Sequence, residues 1–193
     1  MLNEHITLSN MLKSVNEGHL SYKKPLYCLC DTLMDQDENG ILAWSPWVTM
    51  STQCKGLRHG GRGSGSKKPL WFSIGVYRIT HKNNIDFDTG KCDSLAYIGE
   101  GRISKRIERM RHSYRDYART GKPDLGTNYS PAGNNMAKED PSDLDNWYYS
   151  HYSLDHFDCS KSIKKDISRL FEYQLVERYA PRFNAAFAVH NRE

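Results

Sequence analysis

The stretch LAYIGEGRISKRIERMRHSYRDY, residues 95–117, decides the predicted fold. Its beginning, LAYIG, is rich in aliphatic and aromatic side chains and predicts a strand over residues 95–99. From residue 101 to residue 117, apolar side chains recur at helical spacing and predict an amphipathic helix. The apolar stripe of that helix consists of Ile103, Ile107, Met110 and Tyr114. The sequence therefore places a strand directly before a helix near the middle of the chain.

The segments on either side give a mixed pattern of strands and helices, which predicts an α/β (α+β) fold. The further predicted elements are strands over residues 70–80 and 147–154 and a helix over residues 162–179. Turn residues fill the interval before residue 95, so the first two strands are expected to pair antiparallel. The last helix is expected to stop at Ala180-Pro181, because proline cannot continue a helix.

The remaining segments have less regular patterns. Residues 8–15 predict a short amphipathic helix, and residues 41–50, ILAWSPWVTM, predict a strand or hairpin interrupted by Pro46. Residues 55–69 consist mainly of glycine, serine and basic side chains, which is typical of a linker or mobile loop. The polar stretch over residues 120–145 predicts an irregular insertion.

Composition excludes several classes of protein. The chain has 193 residues, of which 38% are hydrophobic, so one folded domain with an appendage is expected. No apolar run approaches the roughly 18 residues that a membrane span needs. The N-terminus lacks the pattern of a secretory signal, and an odd count of five cysteines argues against a disulfide framework. We therefore expect a soluble, cytoplasmic protein without a membrane partner.

The positive charge of the chain is concentrated in one predicted helix. The formal net charge is +4, but residues 101–122 alone carry eight basic and two acidic side chains, a local excess of +6. A positive face of this kind favours a phosphate-rich partner, although a solvated helix face is the alternative explanation.

The order of several short motifs resembles the GIY-YIG nuclease family, over about residues 71–187. The matching residues are Gly75-Val76-Tyr77, Tyr97-Ile98-Gly99, Arg106, Glu172, Pro181 and Asn184. The resemblance implies a central three-stranded antiparallel sheet flanked by helices, and a divalent metal ion, Mg²⁺ or Mn²⁺. It divides the chain into an N-terminal extension with a basic Gly-rich linker, residues 1–70, and a nuclease domain with an insertion at about 120–145, residues 71–193.

The resemblance also implies catalytic roles. Glu172 would hold the metal ion, for which a carboxylate is a suitable ligand; the alternative is a structural salt bridge to Arg178 or Arg169. Arg106 would hold a phosphate through its planar guanidinium. Tyr77 is expected to act as the base and Tyr97 to orient the water. Asn184 could fix Tyr77 or a loop, or it could be a simple turn residue.

The helix departs from the family pattern at one position. Met110 stands where the family usually has a histidine or tyrosine, so another proton carrier is needed, and the candidates are His112, Tyr114 and His81. We expect six basic residues to contact DNA: Arg102, Lys105, Arg109, Arg62, Lys67 and Lys68. The arginines farther along the helix, Arg111, Arg115 and Arg119, are expected to be solvated.

The favoured interpretation is a site-specific type II restriction endonuclease that cuts double-stranded DNA as a homodimer. The length motivates this choice, because homing and repair relatives generally carry a recognisable additional domain. A structure-specific repair nuclease or a mobile-element, homing-type nuclease is the alternative enzyme. A basic DNA-binding protein that has lost catalysis is the alternative outside enzymes.

Overall fold

The computed structural model of the chain describes residues 23–52, 73–123, 126 and 129–184. The helix predicted over residues 8–15 and the linker predicted over residues 55–69 lie outside these ranges.

A four-stranded antiparallel sheet forms the centre of the fold. Its strands are β1 (Val48–Thr49), β2 (Ile74–His81), β3 (Tyr97–Arg102) and β4 (Trp147–Ser153), in the spatial order β1-β4-β2-β3. The α+β class and the antiparallel pairing of the first two predicted strands are confirmed. The sheet has one strand more than the three that the resemblance implies, because β1 pairs with the other side of β4.

In the ranges that the structure describes, four α-helices cover the two faces of the sheet: α1 (Lys23–Glu38), α2 (Ile103–Thr120), α3 (Pro131–Glu139) and α4 (Lys161–Tyr179). Alternate residues of a strand point to opposite faces. Accordingly, Tyr77 and Ile79 of β2 pack into a core with α2 and α3, whereas Val76 packs into a second core with α1 and α4. The strand β3 lies at the edge of the sheet beside the beginning of α2 and the middle of α4.

Residues 23–52 belong to these same cores. Leu26, Leu29 and Leu33 of α1 are buried at helical spacing against α4, and this helix was not predicted from the sequence. Farther along, the guanidinium of Arg78 on β2 lies over the rings of Trp44 and Trp47, at 4.4 and 4.8 Å from their centroids. Such cation–π contacts attach the predicted hairpin region to the sheet, although only two of its residues form a strand.

The expectation of an irregular insertion over residues 120–145 is wrong for residues 131–139, which form α3. Ser130 caps this helix by accepting a hydrogen bond from the Gly133 amide, and Pro131 occupies its first turn. A side-chain Cβ at Gly133 would lie 2.4 Å from the Met110 carbonyl oxygen, so α3 packs closely on α2. The segment is polar in sequence because α3 buries mainly small side chains.

The passage from β3 into α2 positions the candidate site. Gly101 has a φ of 114°, which only glycine adopts readily, and it turns the chain from the strand into the helix. The amide of Ile103 donates to the Ser73 carbonyl, which holds the start of α2 beside the start of β2. Arg106 therefore lies on the first turns of α2, close to the edge strand.

Candidate active site

Four of the predicted catalytic residues come together at the edge of the sheet. Tyr77 lies on β2, Tyr97 on β3, Arg106 on α2 and Glu172 on α4. The ring centroids of the two tyrosines are 6.2 Å apart, and their hydroxyls share a hydrogen bond. The charges of Arg106 and Glu172 act on both tyrosines. Four separate elements thus converge on one polar cluster.

The two glycine-containing motifs are structurally coupled. Tyr77 is paired with Gly99 in the register of β2 and β3, and its phenol lies against the Cα of that glycine. A Cβ at position 99 would lie 2.3 Å from the Tyr77 hydroxyl oxygen and 2.7 Å from Cε1 of Tyr97. Gly99 is therefore required for the position of both rings. Gly75 has a different purpose, because a Cβ there would lie 2.0 Å from the Tyr152 carbonyl oxygen on β4.

Both tyrosines are held in their protonated form. Burial raises the pKa of Tyr77 well above its usual range, and Tyr97 adds to the rise. Burial also raises the pKa of Tyr97 to about 12, and the Glu172 carboxylate acts in the same direction. The guanidinium of Arg106 opposes the rise at both phenols. The surroundings therefore disfavour a phenolate at Tyr77, in the direction opposite to what a general base requires.

Glu172 is a half-buried carboxylate on the sheet-facing side of α4. Burial raises its pKa to about 8, and the nearby Glu100 carboxylate acts in the same direction, whereas Arg106 and Arg169 lower it. The two arginines proposed as salt-bridge partners are engaged elsewhere: Arg178 pairs with Glu38, and Arg169 lies 4.0 Å from Glu100. In the described part of the chain, no ion pair within 4.0 Å includes Glu172.

Sequence reasoning missed Glu100, which follows directly after Tyr97-Ile98-Gly99. Its Oε1 lies 3.9 Å from Nη2 of Arg106 and 4.0 Å from Nε of Arg169. Its Oε2 accepts a hydrogen bond of 3.1 Å from the Ser168 hydroxyl. The available signal was an acidic residue at the beginning of an otherwise basic segment, but the sequence could not show that its partners come from α4.

The candidates for a second proton carrier do not reach the cluster through any described contact. The Tyr114 hydroxyl donates to the Asp140 carbonyl at 2.7 Å, and His81 Nε2 lies 3.2 Å from the Asp140 carboxylate. His112 is exposed on α2, and Met110 is buried in the core. Tyr114 and His81 therefore both contact Asp140 at the end of α3, where they have a structural role.

The basic residues on α2 and directly before it are exposed or half-buried, apart from one buried arginine. Lys105 is exposed and Arg102 and Arg109 are half-buried, as a DNA-facing surface allows, whereas Arg62, Lys67 and Lys68 lie outside the described residues. The expectation that Arg111 is solvated is wrong. Its side chain is buried and donates to the carbonyls of Ser51 and Thr52 at 2.7 and 3.3 Å. The partners lie about 60 positions away in sequence, so helical periodicity could not reveal them.

Asn184 binds the C-terminal part of the described chain to the edge strand β3 through two hydrogen bonds. Its Nδ2 donates to the Ile98 carbonyl at 2.8 Å, and its Oδ1 accepts from the Ile98 amide at 2.9 Å. The side chain is buried and imitates the backbone of a neighbouring strand. Its hydrogen bonds go to β3 and not to Tyr77, so Asn184 acts on the site by fixing the strand that carries Tyr97 and Gly99.

Replacing Asn184 with alanine is expected to lower the free energy of unfolding by about 2–3 kcal/mol, because both buried backbone groups of Ile98 lose their partner. Urea denaturation of the variant and of wild type measures this difference. Asn83→Ala, at an exposed turn position after β2, is the control and is expected to change stability by less than about 0.5 kcal/mol. Equal effects of the two substitutions would contradict the assigned role.

The donor atoms at the cluster suit a hard divalent cation. Glu172 supplies carboxylate oxygens, and Mg²⁺ is usually held by one or two carboxylates with water completing its coordination. A denser ligand group is absent from the described residues, where no three histidine, cysteine, aspartate or glutamate side chains are arranged around a common centre.

Comparison with family models, curated proteins and solved structures finds no match to this chain. Within the described ranges, every helix is too short or too polar to cross a membrane.

Proposed function

We propose that this chain is a divalent-metal-dependent endonuclease of the GIY-YIG type that hydrolyses phosphodiester bonds in double-stranded DNA. The observation that supports the proposal most directly is the convergence of Tyr77, Tyr97, Arg106 and Glu172 from four elements on one cluster. These are the residues that the motif order singled out, and they are separated by up to 95 positions in sequence.

The side chains of the cluster have complementary chemistry for this reaction. The Arg106 guanidinium, whose side chain is 46% exposed, can bind a phosphate that approaches along α2. Its positive charge also opposes the rise in the pKa of both tyrosines. Because burial holds Tyr77 protonated, we assign Tyr77 and Tyr97 to orienting the attacking water through the hydroxyl pair, and proton acceptance by Tyr77 requires additional positive charge.

Glu172 would hold the divalent cation. A bound Mg²⁺ or Mn²⁺ would supply positive charge that neutralises the phosphoryl oxygens and lowers the pKa of nearby water and hydroxyl groups. The Glu172 carboxylate is costly to leave charged and unpaired in its half-buried position, which favours a ligand role over a purely structural one.

Within this activity, we propose a site-specific type II restriction endonuclease that acts as a homodimer. One catalytic cluster per chain cuts one strand at a time, so a double-strand break needs two copies on a two-fold site or two successive nicks. The segment with Arg62, Lys67 and Lys68 is flanked by Thr52 and Ser73, which both contact α2, so its basic residues are proposed to add DNA contacts.

The decisive experiment is plasmid cleavage by the purified chain with Mg²⁺, with Mn²⁺ and with EDTA, followed by mapping of the ends. Cleavage at one short sequence supports restriction, and preference for branched or nicked DNA supports the repair or homing-type alternative. DNA binding without any nick or break under all divalent metals would leave only the non-catalytic DNA-binding protein.

Two arginines of α2 provide a matched pair of variants. Arg106→Ala is expected to slow cleavage about 100-fold, because it removes a charged donor from the developing phosphoryl charge. Arg119→Ala removes the same charge from the far end of the helix, where Arg119 is 77% exposed, and is expected to change the rate less than about 3-fold. Initial rates on one plasmid measure both. Similar losses would indicate that α2 contributes only general electrostatic attraction.

A further inference from the structure

We propose that Glu100 is a positioning residue for Arg106, holding the guanidinium at the mouth of the site before DNA arrives. The inference rests on the proposed function, since it concerns how the phosphate-binding arginine is oriented for that reaction. It assigns a role to a residue outside the motifs that identified the cluster.

Glu100 is itself firmly placed. It lies on β3 between Gly99 and Gly101, and only 14% of its side chain is exposed. The hydroxyl of Ser168, which is fully buried on α4, lies 3.1 Å from Oε2 and 2.9 Å from the Lys165 carbonyl oxygen, so its one proton can serve either acceptor. Oε1 faces the two arginines, Arg106 at 3.9 Å and Arg169 at 4.0 Å. These contacts from α2 and α4 restrict the orientation of the carboxylate on β3.

The backbone at Gly101 also lies close to Arg106. A Cβ built on Gly101 would lie 3.3 Å from Nε of Arg106, so the arginine side chain passes close over this glycine. The guanidinium is thus near both Gly101 and the Glu100 carboxylate. An arginine on an exposed helix face otherwise has many rotamers, and fixing it in advance reduces the entropy lost when it binds a phosphate.

Simple electrostatics predicts a different role for Glu100. A carboxylate beside a phosphate-binding arginine repels DNA, so removing its charge should tighten DNA binding. If the carboxylate orients Arg106, the same removal should slow the chemical step although DNA binds equally well or more tightly. The separation of kcat from KM therefore distinguishes positioning from a passive charge.

The test uses the full chain with Mg²⁺ and compares wild type, Glu100→Gln, Arg106→Ala and the double variant on one duplex. Glu100→Gln is expected to lower kcat about 10-fold without raising KM, because the phosphate contact is misaligned. The double variant is expected to be no slower than Arg106→Ala alone. Asp116→Asn is the control, because Asp116 lies 3.4 Å from exposed Arg119 on the same helix. Its kcat should match wild type.

A second measurement does not depend on cleavage. Nitrogen-15 relaxation of the Arg106 Nε–H group, assigned through its loss in Arg106→Ala, reports the mobility of the guanidinium. Restricted motion is expected in wild type and increased motion in Glu100→Gln. Unchanged motion, an unchanged kcat, or equal slowing by Glu100→Gln in both the wild-type and Arg106→Ala backgrounds would overturn the proposal. If wild type cuts no DNA, the proposed function fails, while the relaxation data still decide whether Glu100 holds Arg106.

Discussion

Glu172→Gln is expected to reduce the Mg²⁺-dependent cleavage rate by about 1,000-fold or more. The substitution keeps the size of the side chain and removes the charge that would hold the cation, whose contribution to the barrier is several kcal/mol. Rates on a single plasmid, measured over a range of Mg²⁺ concentrations, give the size of the loss. Glu177→Gln, at an exposed position of the same helix, is the control and should retain wild-type rates.

The same substitution is expected to stabilise the protein at high pH. The pKa of Glu172 in the fold, about 8, lies above its ordinary value of 4.5, so the fold favours the protonated form. Its contribution to stability is therefore present below pH 4.5 and is lost as the pH rises toward 8. Glutamine stays neutral, so Glu172→Gln should exceed wild type by about 2–4 kcal/mol at pH 9 and match it near pH 4.5.

Urea denaturation at pH 9 and pH 4.5 measures this difference in the free energy of unfolding. A second set of measurements adds Mg²⁺. Added Mg²⁺ at pH 9 should stabilise wild type by binding the charged carboxylate and should have little effect on Glu172→Gln. Full activity in the variant would exclude Glu172 as the metal ligand. Equal stability of variant and wild type at both pH values would instead show that the carboxylate is not desolvated.

The sequence predicted the elements with strong periodicity and missed those that depend on tertiary contacts. Residues 147–154 and 162–179 were predicted as strand and helix, and β4 and α4 occupy nearly the same positions. In contrast, α3 was expected to be irregular because its buried side chains are small, so it lacks a strong apolar stripe. The close approach of Gly133 to Met110, which stabilises that helix, has no signature in local sequence.

In the candidate site, too, the residues that depend on tertiary contacts were not predicted from the sequence. The motif residues Tyr77, Tyr97, Arg106 and Glu172 meet in one cluster, and they were selected by the resemblance of their motif order to the GIY-YIG family. Glu100 was missed because its role depends on contacts to two helices. Arg111 was misjudged for the same reason, since its partners Ser51 and Thr52 precede it by about 60 positions. Residues whose role comes from long-range partners cannot be separated from solvated charges by periodicity alone.

Gly99→Ala is expected to disrupt the cluster more than any other substitution of a single methyl group. The new Cβ would lie 2.3 Å from the hydroxyl oxygen and 2.5 Å from Cζ of Tyr77, whose side chain is 2% exposed and has no open space to enter. We expect a loss of about 2–3 kcal/mol in the free energy of unfolding, typical of overpacking, and a rate about 100-fold lower because both phenols are displaced.

Gly133→Ala separates the loss of stability from the loss of site geometry. Its Cβ would meet the Met110 carbonyl oxygen at 2.4 Å, a comparable clash at the contact of α3 with α2, and Met110 is buried in the core. Both variants should therefore unfold at lower urea concentrations, measured by circular dichroism. Under conditions where each is fully folded, only Gly99→Ala should cleave slowly. Equal rates for the two variants would mean that the close fit of Tyr77 over Gly99 serves the stability of the sheet and not the chemistry of the site.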